Sequence, residues 1–370
     1  MSQLFSPYTL RSLTVPNRIV VSPMCQYSAD NGKATAWHMI HLGHLALSGA
    51  GMLMIEATAV EPAGRITRMD LGLWDDASEA ALVPVLAAIH QHSDIAVVMQ
   101  LSHAGRKGSS KVPWEGGQQL SVADGGWITS APSAVPQKDG EVEPLALDAA
   151  GLRRVRDAFV LAAKRAHRLG IDGLELHGAH GYLLHQFLSP IANQRTDEYG
   201  GSLENRMRFP LEVFDAVRAV FPAEKPVGIR VSASDWMDGG WDLQQTIAFA
   251  AELKKRDVDW IDVSSGGISP LQKIALGPGY QVAFAQGVKQ ATGVNTMAVG
   301  LITEPQQAED IIASGKADFV AMARGLLYDP RWPWHAAVEF GATITAPPQY
   351  WRSAPHGQNK IFGDTVFGGR

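Results

Sequence analysis

The chain has 370 residues, 46% hydrophobic and 19% charged, with a formal net charge of -5. That is the composition of a globular protein with ample apolar content for a large core. A weakly negative chain without a Lys/Arg cluster excludes a nucleic-acid surface, which needs concentrated positive charge.

Short apolar runs recur along the chain, at residues 19–21, 52–55, 96–99, 173–176, 227–231, 260–263, 296–299 and 319–322. The stretches AALVPVLAAIHQH, LRRVRDAFVLAAKRAHRL, MRFPLEVFDAVRAVF and TIAFAAELKKR alternate with them and space their apolar residues as helices do. Eight strand and helix units predict an α/β fold of the (β/α)8 barrel type, in one domain over residues 1–341. A doubly wound open sheet could show the same alternation, but no G-x-G-x-x-G follows the first strand, which argues against a dinucleotide-binding sheet. Residues 102–147 are rich in Pro and Gly and form a long loop after the third strand, expected to be a lid or binding loop. Residues 342–370 show no period and are expected to be an irregular tail contacting a neighbouring subunit.

Two further features bear on the compartment. The start, MSQLFSPYTL, lacks the basic residues and apolar run of a secretory signal, and no segment is long enough to cross a bilayer. The single cysteine, Cys25, fits a reducing environment, so the expected location is cytoplasmic.

Barrels of this type gather their chemistry at the carboxyl ends of the strands. SPMCQY, with Cys25 and Tyr27, follows the first strand, and the third ends at Gln100 and leads to His103 and Lys107. The fourth ends at His177. The fifth carries Arg230 inside an apolar run, where a charge requires an anionic or strongly hydrogen-bonding partner. The seventh and eighth end at Gly300 and at Ala323 and Arg324, beside backbone N–H groups, which predicts a bound phosphate. For Arg230 and Gln100 the alternative is a polar network internal to the barrel.

The stretch LELHGAHGYLLH places His177, His180 and Tyr182 just past the fourth strand. Two imidazoles can bind a metal, and a metal-dependent barrel hydrolase using His177 and His180 is the alternative reading. No carboxylate or cysteine stands at ligand spacing nearby, so no metal is expected. As hydrogen-bond donors the two histidines can hold an oxygen on which negative charge develops. Tyr182, with an ordinary phenol pKa of ~10, can protonate a basic enolate.

The chain resembles the Old Yellow Enzyme family of flavin-dependent ene-reductases, and within it a thermophilic-like bacterial subgroup. PNRIVVSPMCQYSA, MIEATAVEPAGRIT, QLSHAGRK, the block LHGAHGYLLHQFLSPIANQRTDEYGGSLENRMRF, GIRVS, VGLI and ARGLLYDP carry the resemblance. It implies non-covalent FMN with its phosphate near Gly300, Ala323 and Arg324, and Gln100 and Arg230 at the pyrimidine edge of the flavin. Pro23, Met24 and Ala57 would line the ring, with Cys25 beside it tuning its potential. It also implies NADPH or NADH as hydride donor, and a small activated alkene reduced at Cβ by hydride and at Cα by the Tyr182 proton. His177 and His180 would hold the carbonyl oxygen of that alkene. Tyr27, Ile66 and Lys107 would contact substrate. Arg352, in QYWRSAP, would enter the neighbouring active site of a homodimer or a dimer of dimers.

Overall fold

A computed structural model describes residues 2–365 of the chain. Eight parallel strands close a barrel in the order in which they occur: β3 (Ile19–Val21), β4 (Met52–Ala59), β5 (Ala96–Ser102), β8 (Gly173–Gly178), β9 (Val227–Ser232), β10 (Ile261–Ser264), β11 (Thr296–Ala298) and β12 (Phe319–Met322), the last pairing with the first. All eight predicted strands are present. The (β/α)8 barrel is the fold of the chain.

Side chains alternate across each strand, so each strand has an inner and an outer face. Val97, Met99 and Leu101 of β5 join Leu174 and Leu176 of β8 and Val227, Ile229 and Val231 of β9 in the layer beneath the helices. The helices that cover this layer include α2 (Asp76–His92), α3 (Ala149–Arg168), α5 (Leu203–Arg218) and α6 (Leu243–Lys254). At their starts Asp75, Asp148, Ser202 and Asp242 each accept a hydrogen bond from a backbone N–H in the first turn.

The inner face of the barrel divides in two. At the amino-terminal end it is apolar, with Val20, Met52, Met54, Ala96, Val98, Trp260, Met297 and Phe319 in one cluster. A hairpin of β1 (Tyr8–Leu10) and β2 (Leu13–Val15) closes this end, and its Leu10 and Val15 join the same cluster. The hairpin was not foreseen, because strands of three residues are too short to show a period.

Residues 102–147 are irregular as expected, with short turns and one small parallel pair, β6 (Ser130–Ala131) with β7 (Leu145–Ala146). The tail folds onto its own chain: Ile344, Ala346, Ile361 and Phe362 cluster with Ala337 of α10 (Trp332–Phe340). The last part of the expected tail, residues 366–370, lies outside the described residues.

Phe159 of α3 is fully buried against the barrel. Phe159→Ala is expected to destabilise the protein by about 3–5 kcal/mol, measured by denaturant unfolding, because the rigid strand layer cannot collapse into the cavity.

Candidate active site

Towards the carboxyl ends of the strands the inner face turns polar. The alternation that sends Leu174, Leu176, Ile229, Val231 and Val263 outward brings Glu175, His177, Arg230, Asp262 and Ser264 inward. Gln100 Nε2 donates to Glu175 Oε1 at 2.8 Å, and Trp260 Nε1 donates to Glu175 Oε2 at 3.0 Å. Arg230 Nε lies 3.0 Å from Asp262 Oδ2. Burial, with Asp262 close by, pushes Glu175 up to about 8. Burial also raises Asp262, and the facing Arg230 opposes that rise. The partner required by Arg230 is thus supplied in part by the barrel itself. Ser22 Oγ and Arg230 Nε are nevertheless buried without an aligned hydrogen bond.

Just past β8 the chain makes a tight turn that displays His177, His180 and Tyr182 together. The His177 ring stands edge-on to both neighbours, 5.1 Å from His180 and 4.8 Å from Tyr182 between centroids. The turn depends on close backbone approach: His180 has φ of 57°, and a Cβ on Gly181 would lie 2.1 Å from Gly267 O. His185 Nδ1 accepts from Gly181 N–H at 2.9 Å, and His185 Nε2 lies 2.9 Å from Asp235 Oδ1, which locks the turn from behind. Tyr182 precedes the short helix α4 (Leu183–Leu188) without a side-chain capping bond.

The electrostatics keep these groups neutral. Burial holds His177 and His180 well below the usual histidine range, helped by the Arg230 charge and by Lys107. Burial pushes the Tyr182 phenol up, and Cys25, Tyr27 and Asp70 act in the same direction. The Cys25 thiol is also pushed up, by burial and then by Glu56, so it is a thiol and not a thiolate at neutral pH.

Around this centre the other expected residues fall at the same mouth. Pro23, Met24, Cys25 and Tyr27 follow β3; Tyr27 has φ of 49° and meets Trp114 of the long loop edge-on at 5.9 Å. A register shift in β4 between Ile55 and Thr58 falls at Glu56 and Ala57, and Glu56 Oε2 accepts from Gln26 N–H at 2.9 Å. Ile66 is fixed by Asp70, which accepts its N–H at 2.6 Å, and Ile66 O accepts from Ser110 N–H at 2.8 Å. Lys107, expected to contact substrate, is turned onto backbone: its Nζ donates to His180 O at 2.7 Å.

A cleft of about 170 Å³ opens at the ends of β11 and β12, lined by Gly300, Ala323 and Arg324 together with Tyr280 and Gln281. Arg352 stands apart from all of these. It is exposed on the Pro348–Ser353 turn, and adjacent Trp351 lines a cleft with Ser93 and Asp94, where β5 begins. That is the end of the barrel opposite its own site.

The sequence profile of the NADH:flavin oxidoreductase / NADH oxidase family matches residues 3–340. The chain belongs to this family. It is 44% identical to an NADPH dehydrogenase of Geobacillus thermodenitrificans over 94% of this chain and 98% of that one. An NADH:flavin oxidoreductase of Gibberella zeae is 42% identical over 97% and 91% of the two chains. Among solved structures, morphinone reductase matches with a TM-score of 0.76 at 29% identity, covering 94% of this chain and 92% of that one. An Old Yellow Enzyme homologue from Zymomonas mobilis matches with a TM-score of 0.76 at 25% identity, over 93% and 94%.

The protein is therefore an FMN oxidoreductase of the Old Yellow Enzyme family, with a nicotinamide as electron donor. Membership removes the support for a metal-dependent hydrolase. Among the described residues no group of three or more His, Cys, Asp or Glu could hold a metal ion, and no helix is long and apolar enough to cross a membrane.

Glu175, Asp262, Ser264 and the His185–Asp235 pair were not among the residues expected from the sequence. The signal for the first two was present: each interrupts an apolar strand, in LELHG and IDVSS, as Arg230 does in GIRVS. The third and the pair needed the fold, because their partners are 84 and 50 residues away in sequence.

Neutral imidazoles give a pH prediction. Ligand binding at His177 and His180 should show no inflection near the ordinary histidine value of ~6.5. The affinity of a bound enone analogue, followed by flavin absorbance across that range, checks it; a one-proton step there would mean that one imidazole is charged in the folded protein.

Proposed function

We propose that this enzyme reduces the activated C=C bond of α,β-unsaturated carbonyl compounds at the expense of NADPH or NADH. The observation that carries the reading is the set His177, His180 and Tyr182: two neutral imidazoles and a protonated phenol in one turn, with the His177 ring within 5.1 Å of both others.

The residues present fit non-covalent FMN. The cleft at Gly300, Ala323 and Arg324 suits its phosphate, since a side chain on Gly300 would lie 2.7 Å from Gln281 Nε2 and close it. Gln100 and Arg230, set by Glu175 and Asp262, would hold the pyrimidine edge, with Arg230 favouring negative charge there. Pro23, Met24 and Ala57 would line the ring beside the Cys25 thiol. When bound, FMN supplies a two-electron carrier that takes a hydride from the nicotinamide and delivers it to the alkene β-carbon.

The chain's own residues do the rest. His177 Nδ1 accepts from Ala179 N–H at 3.3 Å, so its proton sits on Nε2, free to donate to the substrate oxygen. His180 Nε2 lies 2.7 Å from Ser264 Oγ, closer than the 3.3 Å between that hydroxyl and Gln281 Oε1. In the tautomer that accepts from Ser264, His180 would carry its proton on Nδ1 as a second donor. Both draw electron density from the carbonyl and make the β-carbon electrophilic. Tyr182 then protonates the α-carbon. Tyr27 and Ile66 shape the pocket around the alkene. Arg352, on the far end of its own barrel, would act in the site of a second copy within a homodimer or dimer of dimers.

An anaerobic visible spectrum tests the whole reading. The purified protein should show a flavin spectrum that bleaches with NADPH and returns on adding 2-cyclohexenone. A spectrum that bleaches and stays bleached with every enone would overturn alkene reduction while leaving the family intact. Tyr182→Phe should slow alkene reduction by roughly 100-fold or more, the usual contribution of a positioned proton donor, with far less effect on flavin reduction by NADPH. Equal loss in stopped-flow measurements of both half-reactions would remove Tyr182 from its role. Arg352→Ala should raise the enone KM several-fold with FMN content unchanged, and unaltered kinetics with all enones would remove the shared-site assignment.

A further inference from the structure

Tyr182 poses a physical problem. Its phenol is half-buried, and desolvation pushes it well above the ordinary tyrosine range. A proton donor must nevertheless become a phenolate, and negative charge in a buried setting is costly unless an opposite charge faces it. Among the described residues the cation over that ring is Lys107, whose Nζ stands 5.0 Å from the ring centroid.

Lys107 sits on the Gly105–Lys107 turn after β5. Its ammonium donates to His180 O at 2.7 Å and to Gly267 O at 3.2 Å, so two backbone carbonyls from different loops fix it in place. The turn is itself clamped, since Gln186 accepts from Arg106 N–H at 3.2 Å and donates to Gly181 O at 2.7 Å. The charged and titratable groups that face Lys107 are Arg106 on its own turn, Lys138 and Glu141 from the long loop, and His177, His180 and Tyr182 across the mouth. Cations come first among these influences and Glu141 last, so no adjacent carboxylate neutralises Lys107.

We propose that Lys107 is the positioning counter-charge of Tyr182: its ammonium, held against the ring by two carbonyls, stabilises the phenolate formed when Tyr182 protonates the substrate. This rests on the ene-reduction reading above. In that step the Tyr182 O–H bond breaks and a C–H bond forms at the α-carbon from the electron pair of the enolate. The O–H pair stays on the phenolate oxygen, and water later returns the proton. An opposite charge at this range lowers the pKa of an acid by ~1–3 units, and a buried cation over an aromatic face is among the stronger cases.

The same cation sets a pH limit. Burial holds Lys107 down to about 8, so it is charged below that pH and neutral above it. Protonation of the α-carbon should therefore slow as the pH rises through about 8.

The test uses the FMN-loaded enzyme, reduced anaerobically with NADPH and mixed with 2-cyclohexenone on both sides of that pH. Lys107→Met should slow the alkene half-reaction by roughly tenfold at neutral pH. It should also abolish the alkaline fall and affect reduction by NADPH far less. Lys107→Arg should retain most of the rate and move the fall to higher pH. If Lys107→Met loses FMN, Lys107→Gln, which keeps a hydrogen-bond donor without the charge, carries the same comparison.

Ultraviolet titration of tyrosinate gives a readout independent of turnover, with the Tyr182 signal assigned by difference from Tyr182→Phe. Lys107 is already neutral when the phenol of the native protein titrates, so the informative pair is Arg against Met: the phenol should ionise at lower pH in Lys107→Arg. Equal slowing of both half-reactions in Lys107→Met, an unchanged alkene step, or identical phenol titration in the two variants would each overturn the proposal. Slow alkene reduction in Tyr182→Phe with normal reduction in Lys107→Met would sink the Lys107 proposal alone. Undiminished alkene reduction in Tyr182→Phe would remove the proton-donor reading and this proposal with it.

Discussion

The polar layer across the barrel interior is the constraint from which the site follows. Gln100, Glu175, Trp260, Arg230 and Asp262 come from four neighbouring strands and one strand approach; Gln100 and Trp260 donate to Glu175, and Arg230 faces Asp262, where the apolar floor ends. A buried carboxylate or guanidinium without partners would destabilise the fold by several kcal/mol, roughly 3–5 for a broken pair. The strands are therefore held in the register that matches these partners. Gly228 is part of the same arrangement, because a Cβ there would stand 2.1 Å from the Trp260 indole that reaches Glu175. The layer separates a dry, hairpin-plugged half of the barrel from a half that can receive a polar ring system.

Above that layer, the turn after β8 converts strand geometry into chemistry. A strand alone would place side chains at alternate positions and could not bring His177, His180 and Tyr182 within one contact distance. The left-handed His180 and the close approach of Gly181 to Gly267 fold the chain back so that the three rings converge. His185, Asp235 and Gln186 hold the turn from behind without facing the substrate space.

Charge distribution then divides the labour. Burial first, and then the positive charge of Arg230 and Lys107, suppresses protonation of the histidines, so the imidazoles stay neutral. The positive potential of the two cations at the mouth favours negative charge wherever it develops, on a carbonyl oxygen or on a phenol. Cys25 contributes no charge of its own while burial and Glu56 keep it a thiol. One site thus combines neutral hydrogen-bond donors with fixed cations behind them, an arrangement suited to enolate chemistry and unsuited to holding a cation.

The sequence by itself determined the eight strands, the class of fold and the composition of the strand ends. Strand periodicity and the position of polar residues after each run are local properties, and local sequence encodes them. It also determined the family, because the block from Leu176 to Phe209 carries the site and its supporting turn in continuous sequence. Only the tertiary structure decided which polar residues satisfy each other: that Arg230 meets Asp262, that His180 meets Ser264, and that Lys107 turns onto the Tyr182 ring instead of outward. It also decided that the tail returns to the far end of the barrel, leaving Arg352 remote from its own site. The physical reason is the same in each case: pairing between residues 32 to 84 positions apart is set by strand register and barrel closure, and neither leaves a trace in the local pattern.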